Sequence, residues 1–293
     1  MKKKNFVFIV LGTLFVLNIF AWTTVYDLAN PKLLEVNFFD VGQGDASFIE
    51  TPQGHQILID GGPDNKILEK LGKEMPFWDR TIDLVILSHP EADHLTGLLD
   101  VLKRYKVENI LWTGVVRDTP EYKEWGSLIA KEGANIKIAQ VGQRVMASGV
   151  TFYILNPLDN LEGKIMEDSN DTSIVSKLVF GNESFLFTGD IYNSMEKELI
   201  MRENSCGDSC KFANLGSDIL KVAHHGSKTS SLAEFIQKVS PQAAIISIAL
   251  NNSYGHPHQE VLDRLEKYGI KIFRTDEGGD IKFVSDGIKY IMK

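Results

Sequence analysis

Residues 88–97 read Ser-His-Pro-Glu-Ala-Asp-His-Leu-Thr-Gly and place four metal-binding side chains, His89, Glu91, Asp93 and His94, in one short segment. Imidazole and carboxylate donors together suit a divalent cation that accepts both nitrogen and oxygen. The apolar run Leu84 to Leu87 just before them has the composition of a buried strand, and the pattern after them predicts a helix from Leu95 to Tyr105. Pro90 stops the strand's hydrogen-bond ladder, so the side chains that follow can converge on one point. Three further segments put polar groups beside apolar runs. Thr188-Gly189-Asp190 follows Phe185-Leu186-Phe187, His224-His225-Gly226-Ser227 follows Leu220-Lys221-Val222-Ala223, and Gly255-His256-Pro257-His258 precedes a predicted helix from Glu260. Buried histidine and aspartate are costly unless they are paired or bound to a metal, so this recurrence predicts a shared site.

The elements needed to position these groups are legible along the chain. Leu33 to Phe39, Ser47 to Thr51, Gln56 to Ile59, Leu84 to Ser88 and Asn109 to Trp112 read as strands, with helices from Leu95 to Tyr105 and Glu121 to Lys131. The second half repeats the style. Strands are predicted at Thr151 to Leu155, Ser173 to Phe180, Ser184 to Phe187, Ile219 to Ala223, Ala243 to Ile248, Lys271 to Arg274, Asp280 to Val284 and Lys289 to Met292. Helices are predicted at Met195 to Met201, Leu232 to Val239 and Glu260 to Tyr268. Two strand-rich halves, each with helices, imply two sheets packed face to face with helices outside. Asp40, Asp45 and Asp60 sit in glycine-containing turns, where a carboxylate either bonds local backbone or orients a histidine.

The N-terminus is patterned differently. Lys2 to Lys4 precede an uncharged stretch from Phe6 through Val25, about the roughly 20 residues that a helix needs to cross hydrocarbon. The lysines would stay cytoplasmic, placing the body outside the membrane; an uncleaved anchor is favoured over a cleaved signal because Ile19-Phe20-Ala21 is a poor cleavage site. The chain has 39 acidic against 31 basic residues, a balance that disfavours long-range attraction to nucleic acid. Cys206 and Cys210 are the only cysteines; in an exported body a short disulfide loop is the leading reading, with free thiols or a metal pair as alternatives.

The order and spacing of these motifs resemble the metallo-β-lactamase fold superfamily from about Leu33 to Lys293, and within it the hydrolase domain of ComEC competence proteins and their stand-alone relatives. Asp40-Val41-Gly42-Gln43-Gly44-Asp45, Asp60-Gly61-Gly62, Ser88 to Gly97, Asn170 to Ser173, Gly189-Asp190, His224 to Ser227 and Gly255 to His258 carry the likeness. It implies an α+β fold, a four-layer αββα sandwich over residues 31–293, after a membrane or signal segment at 1–30. It also implies two metals: His89 and Glu91 at a first site, Asp93 and His94 at a second, and Asp190 bridging. One of His224 and His225 completes the second site, His225 being taken as the ligand and His224 as its neighbour. The usual third histidine of the first site has no counterpart; Asn170 or Asp171 lies in that stretch. Asp93, His224 and His258 are the residues assigned to catalysis.

Glu91 stands where the superfamily more often has histidine, and an extra oxygen donor hardens the site, so manganese and zinc are the leading metals. A hydroxide held between the two ions is the implied nucleophile. The expected function is an exported, metal-dependent hydrolase of phosphodiesters, with nucleic acid the substrate class that the resemblance implies. The alternatives are a cell-surface phosphoesterase and a catalytically silent, metal-stabilised binding module. The membrane, through the N-terminal helix, is the other expected partner; no protein partner is inferred.

Overall fold

The structure, a computed structural model, describes residues 2–29, 33–147, 149–206 and 214–293. Cys210 and the side chain of Cys206 fall outside them, and so does the expected disulfide. The chain divides into two compact units, Met1–Leu33 and Leu34–Lys293. The first holds the helix α1 (Lys2–Ala29), of which Lys4–Val25, 22 residues, is long and apolar enough to cross a membrane.

The second unit starts with β1 (Leu34–Phe38), β2 (Ser47–Glu50) and β3 (Gln56–Ile59), and continues through α2 (Lys66–Glu74), β4 (Thr81–Ile86), α3 (Ala92–Arg104), β5 (Lys106–Trp112), α4 (Pro120–Glu132) and β6 (Asn135–Ile138). Then come β7 (Arg144–Ala147), β8 (Val150–Asn156), β9 (Val175–Phe180), β10 (Glu183–Phe187), α5 (Asn193–Cys206), β11 (Ile219–Lys221), α6 (Ala233–Val239), β12 (Ala243–Ile246), α7 (Gln259–Lys267), β13 (Lys271–Arg274) and the one-turn α8 (Thr275–Gly278). The last strands, β14 (Ile281–Ser285) and β15 (Tyr290–Met292), return to the first sheet beside β1. One sheet has the order β15-β14-β1-β2-β3-β4-β5-β6, the other β13-β12-β11-β10-β9-β8-β7.

Alternation along the strands explains the layering. In β4 and the residue after it, Leu84 and Ile86 face the other sheet, where Phe152, Phe185, Phe187 and Ile245 meet them. Val85 and Leu87 face the opposite way, onto Leu95 and Leu98 of α3 and Trp125 of α4. On the far side Leu186, Leu220 and Ala244 pack against Phe235 of α6 and Val261 of α7. Both faces of each sheet are thus covered, giving the αββα sandwich. This arrangement requires the apolar runs at β4, β11 and β12, because parallel strands buried on both faces have no polar side. β3 to β6 are mutually parallel, as are β10 to β13. The carboxyl ends of parallel strands are where open α/β sheets bind ligands.

Besides the one-turn α8, three elements go beyond the sequence reading. α2 is amphipathic, burying only Ile67 and Leu71, while β6 and β7 are the outermost strands of their sheets and largely solvent-facing. α3 also starts at Ala92, earlier than the expected Leu95, so Asp93 and His94 belong to its first turn. Glu91 occupies the N-cap position without a side-chain cap bond.

Candidate metal centre

The helix start is pressed against the turn after β3, and two glycines make this possible. A Cβ on Gly97 would lie 2.0 Å from the Gly61 carbonyl oxygen, and one on Gly61 would lie 2.5 Å from the Leu98 nitrogen. Gly61 N–H donates to the His94 carbonyl at 2.8 Å. This close approach brings Asp60, with φ 59°, beneath the His94 ring. Asp60 Oδ1 accepts the Ser88 N–H at 2.7 Å, and Oδ2 accepts the Ser88 hydroxyl at 2.7 Å and lies 2.8 Å from His94 Nδ1.

This network assigns ring tautomers. With its hydroxyl proton given to Asp60, Ser88 Oγ accepts from His89 Nδ1 at 3.0 Å, and His94 Nδ1–H donates to Asp60. His225 Nδ1 donates to the Ser247 carbonyl at 2.9 Å and has Asp45 Oδ1 at 3.4 Å. Each Nδ1 is therefore engaged behind the site, which leaves each Nε2 to face forward. The Nε2 atoms of His89, His94 and His225 and Oδ1 of Asp190 are all buried without a hydrogen-bond partner.

Asp93, His94, Asp190 and His225 each offer an atom within 4.8 Å of the others. His94 Nε2 and His225 Nε2 both stand 3.4 Å from Asp190 Oδ2, and His225 Nε2 stands 3.4 Å from Asp93 Oδ2. Metal–ligand bonds of about 2.1 Å place neighbouring ligand atoms about 3.4 Å apart in a tetrahedral shell. Donor types, spacing and orphaned atoms therefore fit a divalent cation.

Electrostatics agree. Burial alone would lower His94 and His225, but Asp190 with Asp60 and Asp93 holds His94 well above 6.5, and Asp190 with Asp45 does the same for His225. Burial pushes Asp60 up against the pull of His94. Asp190 is held well below its ordinary value because His225 and His94 outweigh its burial. Asp45 is lowered in the same way by the buried Lys221, with which it is ion-paired, and by His225. His89 has no such carboxylate partner, and burial and the His94 charge push it down to about 3. Without metal, two imidazolium protons thus supply the charge that a divalent cation would bring.

The centre forms the floor of an open cavity of about 390 Å³, lined by Gln43, Glu91, Asp93, Arg117, Glu167, Asp168, Asn170, Asp190, Tyr192, His224, His225, Tyr254 and His256. The paired histidines divide their roles through their backbone. Both have left-handed φ, 50° and 53°, a costly conformation for two consecutive non-glycine residues. It turns the His225 ring, 1 % exposed, into the centre, and leaves His224 at its rim, with Nε2 4.0 Å from Asp190 Oδ2.

Other expected site residues lie elsewhere. Glu91 is outside the four-residue cluster: Arg117 Nη2 lies 3.0 Å from Oε1 and 3.2 Å from Oε2, and the Ser169 hydroxyl donates to Oε1 at 2.6 Å. His258 is the N-cap residue of α7, its Nδ1 accepts the Lys228 N–H at 3.3 Å, and its ring packs on His256, which is the one of the two that lines the cavity. Asp171 accepts from the Tyr192 N–H at 2.7 Å and the Ser194 hydroxyl at 2.6 Å, and Asn170 Nδ2 donates to the Tyr192 hydroxyl at 2.8 Å. Asp40 accepts the Gly42 N–H at 3.2 Å, a turn bond.

The sequence model described as the Metallo-beta-lactamase superfamily matches residues 39–249. The chain belongs to that superfamily. It is similar to ComE operon protein 3 of Bacillus subtilis, 31% identical over 85% of this chain and 33% of that one. It is also similar to competence protein ComA of Neisseria gonorrhoeae, 32% identical over 85% of this chain and 32% of that one. The chain thus spans about a third of the length of these relatives. Among solved structures, the metallo-beta-lactamase fold protein YhfI of Bacillus subtilis superposes with a TM-score of 0.56 at 12% identity, over 86% of this chain and 100% of that one, a likeness of fold. Superfamily membership together with the ligand cluster supports a metal-dependent hydrolase. Arg117, Ser169, Tyr192 and Tyr254 joined the site only in the structure. The rule that polar groups after apolar strands mark a site would have flagged Arg117, which follows β5.

Proposed function

We propose that the protein is a divalent-metal-dependent phosphodiesterase attached to a membrane through α1, with nucleic acid as the leading substrate class. The observation that carries the reading is the set of two carboxylates and two imidazoles, Asp93, His94, Asp190 and His225, at the floor of an open cavity. A cation held there supplies an acidified water and a Lewis acid for a phosphoryl oxygen. The remaining roles fall to the chain. Asp60 and the Ser247 carbonyl fix the forward-facing tautomers of His94 and His225, and His224, at the rim beside Tyr192 and His256, is placed to exchange a proton with a leaving group. Burial holds His224 below its ordinary value, against the pull of Asp190, so a neutral ring faces the cavity at neutral pH.

Substrate charge is constrained by the walls. Glu91, Asp93, Glu167, Asp168 and Asp190 are acidic, and Arg117 is the one Lys or Arg among the lining residues. A phosphate can enter only where cations offset those acids. The competence-related relatives favour nucleic acid within the phosphodiester class, and the stretch Lys4–Val25 supports membrane attachment.

The test is hydrolysis of bis-nitrophenyl phosphate and of single- and double-stranded DNA by manganese- or zinc-loaded protein. Activity on the generic diester and on DNA, lost in His94→Ala, is the expected result. Activity on the diester but not on DNA redirects the reading to another phosphodiester. Metal-loaded protein inactive on all three and indistinguishable from His94→Ala sinks it in favour of a binding module.

A further inference from the structure

Glu91 is held by partners other than a metal. Both of its oxygens are engaged, by Arg117 at 3.0 Å and 3.2 Å and by the Ser169 hydroxyl at 2.6 Å. Arg117 is itself fixed on the other side, since Nη1 donates to the carbonyls of Met166, at 2.8 Å, and of Glu167. The segment after β5 that carries Arg117 is paired with that loop, Val116 N–H donating to the Lys164 carbonyl at 2.8 Å and bridging to Ile165. Meanwhile His89 is fully buried with Nε2 lacking a partner, and Asn170 and Asp171 are committed to Tyr192 and Ser194. One imidazole is therefore ready for a second cation beside the four-ligand centre, and the carboxylate nearest in sequence is bound to a guanidinium instead.

We propose that Glu91 is an exchangeable ligand, released from Arg117 to a second cation at His89 when the phosphate of a substrate takes its place on the guanidinium. The exchange replaces one anion on Arg117 with another, so the half-buried guanidinium is never left uncompensated, which is the costly alternative. Phosphate and carboxylate also share the fork geometry that arginine pairs with. The centre then holds one ion tightly in the free protein and assembles the second with the substrate. Binding of diester and of second ion is reciprocal: each strengthens the other by the same factor. No covalent step is involved. The phosphate half rests on the phosphodiester reading above; the restraint of Glu91 by Arg117 does not.

The experiment is a manganese binding isotherm, by equilibrium dialysis with elemental analysis, with and without saturating dimethyl phosphate. It is run on the full chain, Arg117→Met, Glu91→Gln and the double variant, with circular dichroism to verify folding. The wild type is expected to bind one ion tightly and a second at least tenfold more weakly, with dimethyl phosphate tightening only the second, by about tenfold. Arg117→Met binds the second ion tightly with or without the diester. Glu91→Gln and the double variant show no tight second ion with or without the diester, which separates a freed ligand from the mere loss of a positive charge. Two equally tight ions in the wild type, an unchanged isotherm in Arg117→Met, or a tight second ion persisting in the double variant overturns the proposal. If Arg117→Met tightens the second ion while the diester has no effect on the wild type, the phosphate exchange is refuted and the restraint stands. Should Arg117→Met fail to fold, Arg117→Gln takes its place under the same criteria.

Discussion

Asp60 is the residue through which the buried side of the centre can be tested most sharply, by the near-isosteric change Asp60→Asn. Its carboxylate receives three donors, the Ser88 N–H and hydroxyl at 2.7 Å each and His94 Nδ1 at 2.8 Å. An amide has only one oxygen for them. If that oxygen stays with the Ser88 N–H, the NH₂ group faces His94 Nδ1, which must become an acceptor. The ring proton then moves to Nε2, the atom that faces Asp190. The opposite orientation sets the NH₂ against the buried Ser88 N–H, an unmet donor that costs about 1–3 kcal/mol. Both routes weaken the same ligand. Loss of such a partner lowers metal affinity by about 10–100-fold, or about 1.4–2.7 kcal/mol. Equilibrium dialysis against manganese or zinc reads the affinity, and histidine ring ¹⁵N shifts read the tautomer. Wild-type affinity for the tightly held ion in a folded Asp60→Asn protein, with His94 still protonated at Nδ1, would refute the assigned network.

Three further outcomes follow from the same geometry. His94 and His225 are protonated in the metal-free protein up to a pH well above 6.5, so metal binding near neutrality expels protons, approaching two per ion, and affinity rises with pH. Calorimetry in buffers of different ionisation enthalpy counts those protons; none released would contradict the protonated pair. The sign for folding is the opposite: both pKa values are raised over the unfolded 6.5, so their stabilisation is full below 6.5 and is lost as pH climbs through the folded values. Metal-free protein should accordingly melt at lower temperature as the pH rises through that window. Lys221→Met removes the buried ion-pair partner of Asp45 and leaves that carboxylate facing His225 alone at close range, for a loss of up to about 3–5 kcal/mol in urea unfolding. A loss below about 1 kcal/mol would mean that the pair contributes little.

The ligand cluster was legible because each member sits where an apolar strand ends, a place with no packing reason for a buried acid or imidazole. The choice between His224 and His225 was not. It depends on two successive left-handed residues, a backbone property that no side-chain pattern encodes. Glu91 was legible as a carboxylate close in sequence to the cluster but not as the partner of Arg117, because that pairing needs the chain after β5 to meet the loop at Met166 and Glu167, far away in sequence. The β6 and β7 strands were missed for a related reason. As outermost strands they cover little of the core, so the alternation that reveals the inner strands is weak in them.

The acidity of the cavity connects these points to substrate choice. With five carboxylates in its wall, against one guanidinium already paired with Glu91 and two imidazolium rings already facing Asp93 and Asp190, the free site offers a phosphate no unpaired cation among its lining residues. A first cation replaces the two imidazolium protons of His94 and His225, so the charge facing Asp93 and Asp190 is kept but is carried by an ion that can also accept an oxygen ligand. An incoming diester then meets both the cation and Arg117, and Glu91, displaced from the guanidinium, remains as an uncompensated anion two residues along the chain from His89, whose Nε2 has no partner. A second divalent ion is the species that satisfies both. Acid-lined walls therefore make anion binding conditional on metal, and they favour substrates whose phosphate can bridge a cation and an arginine over neutral esters that offer neither contact.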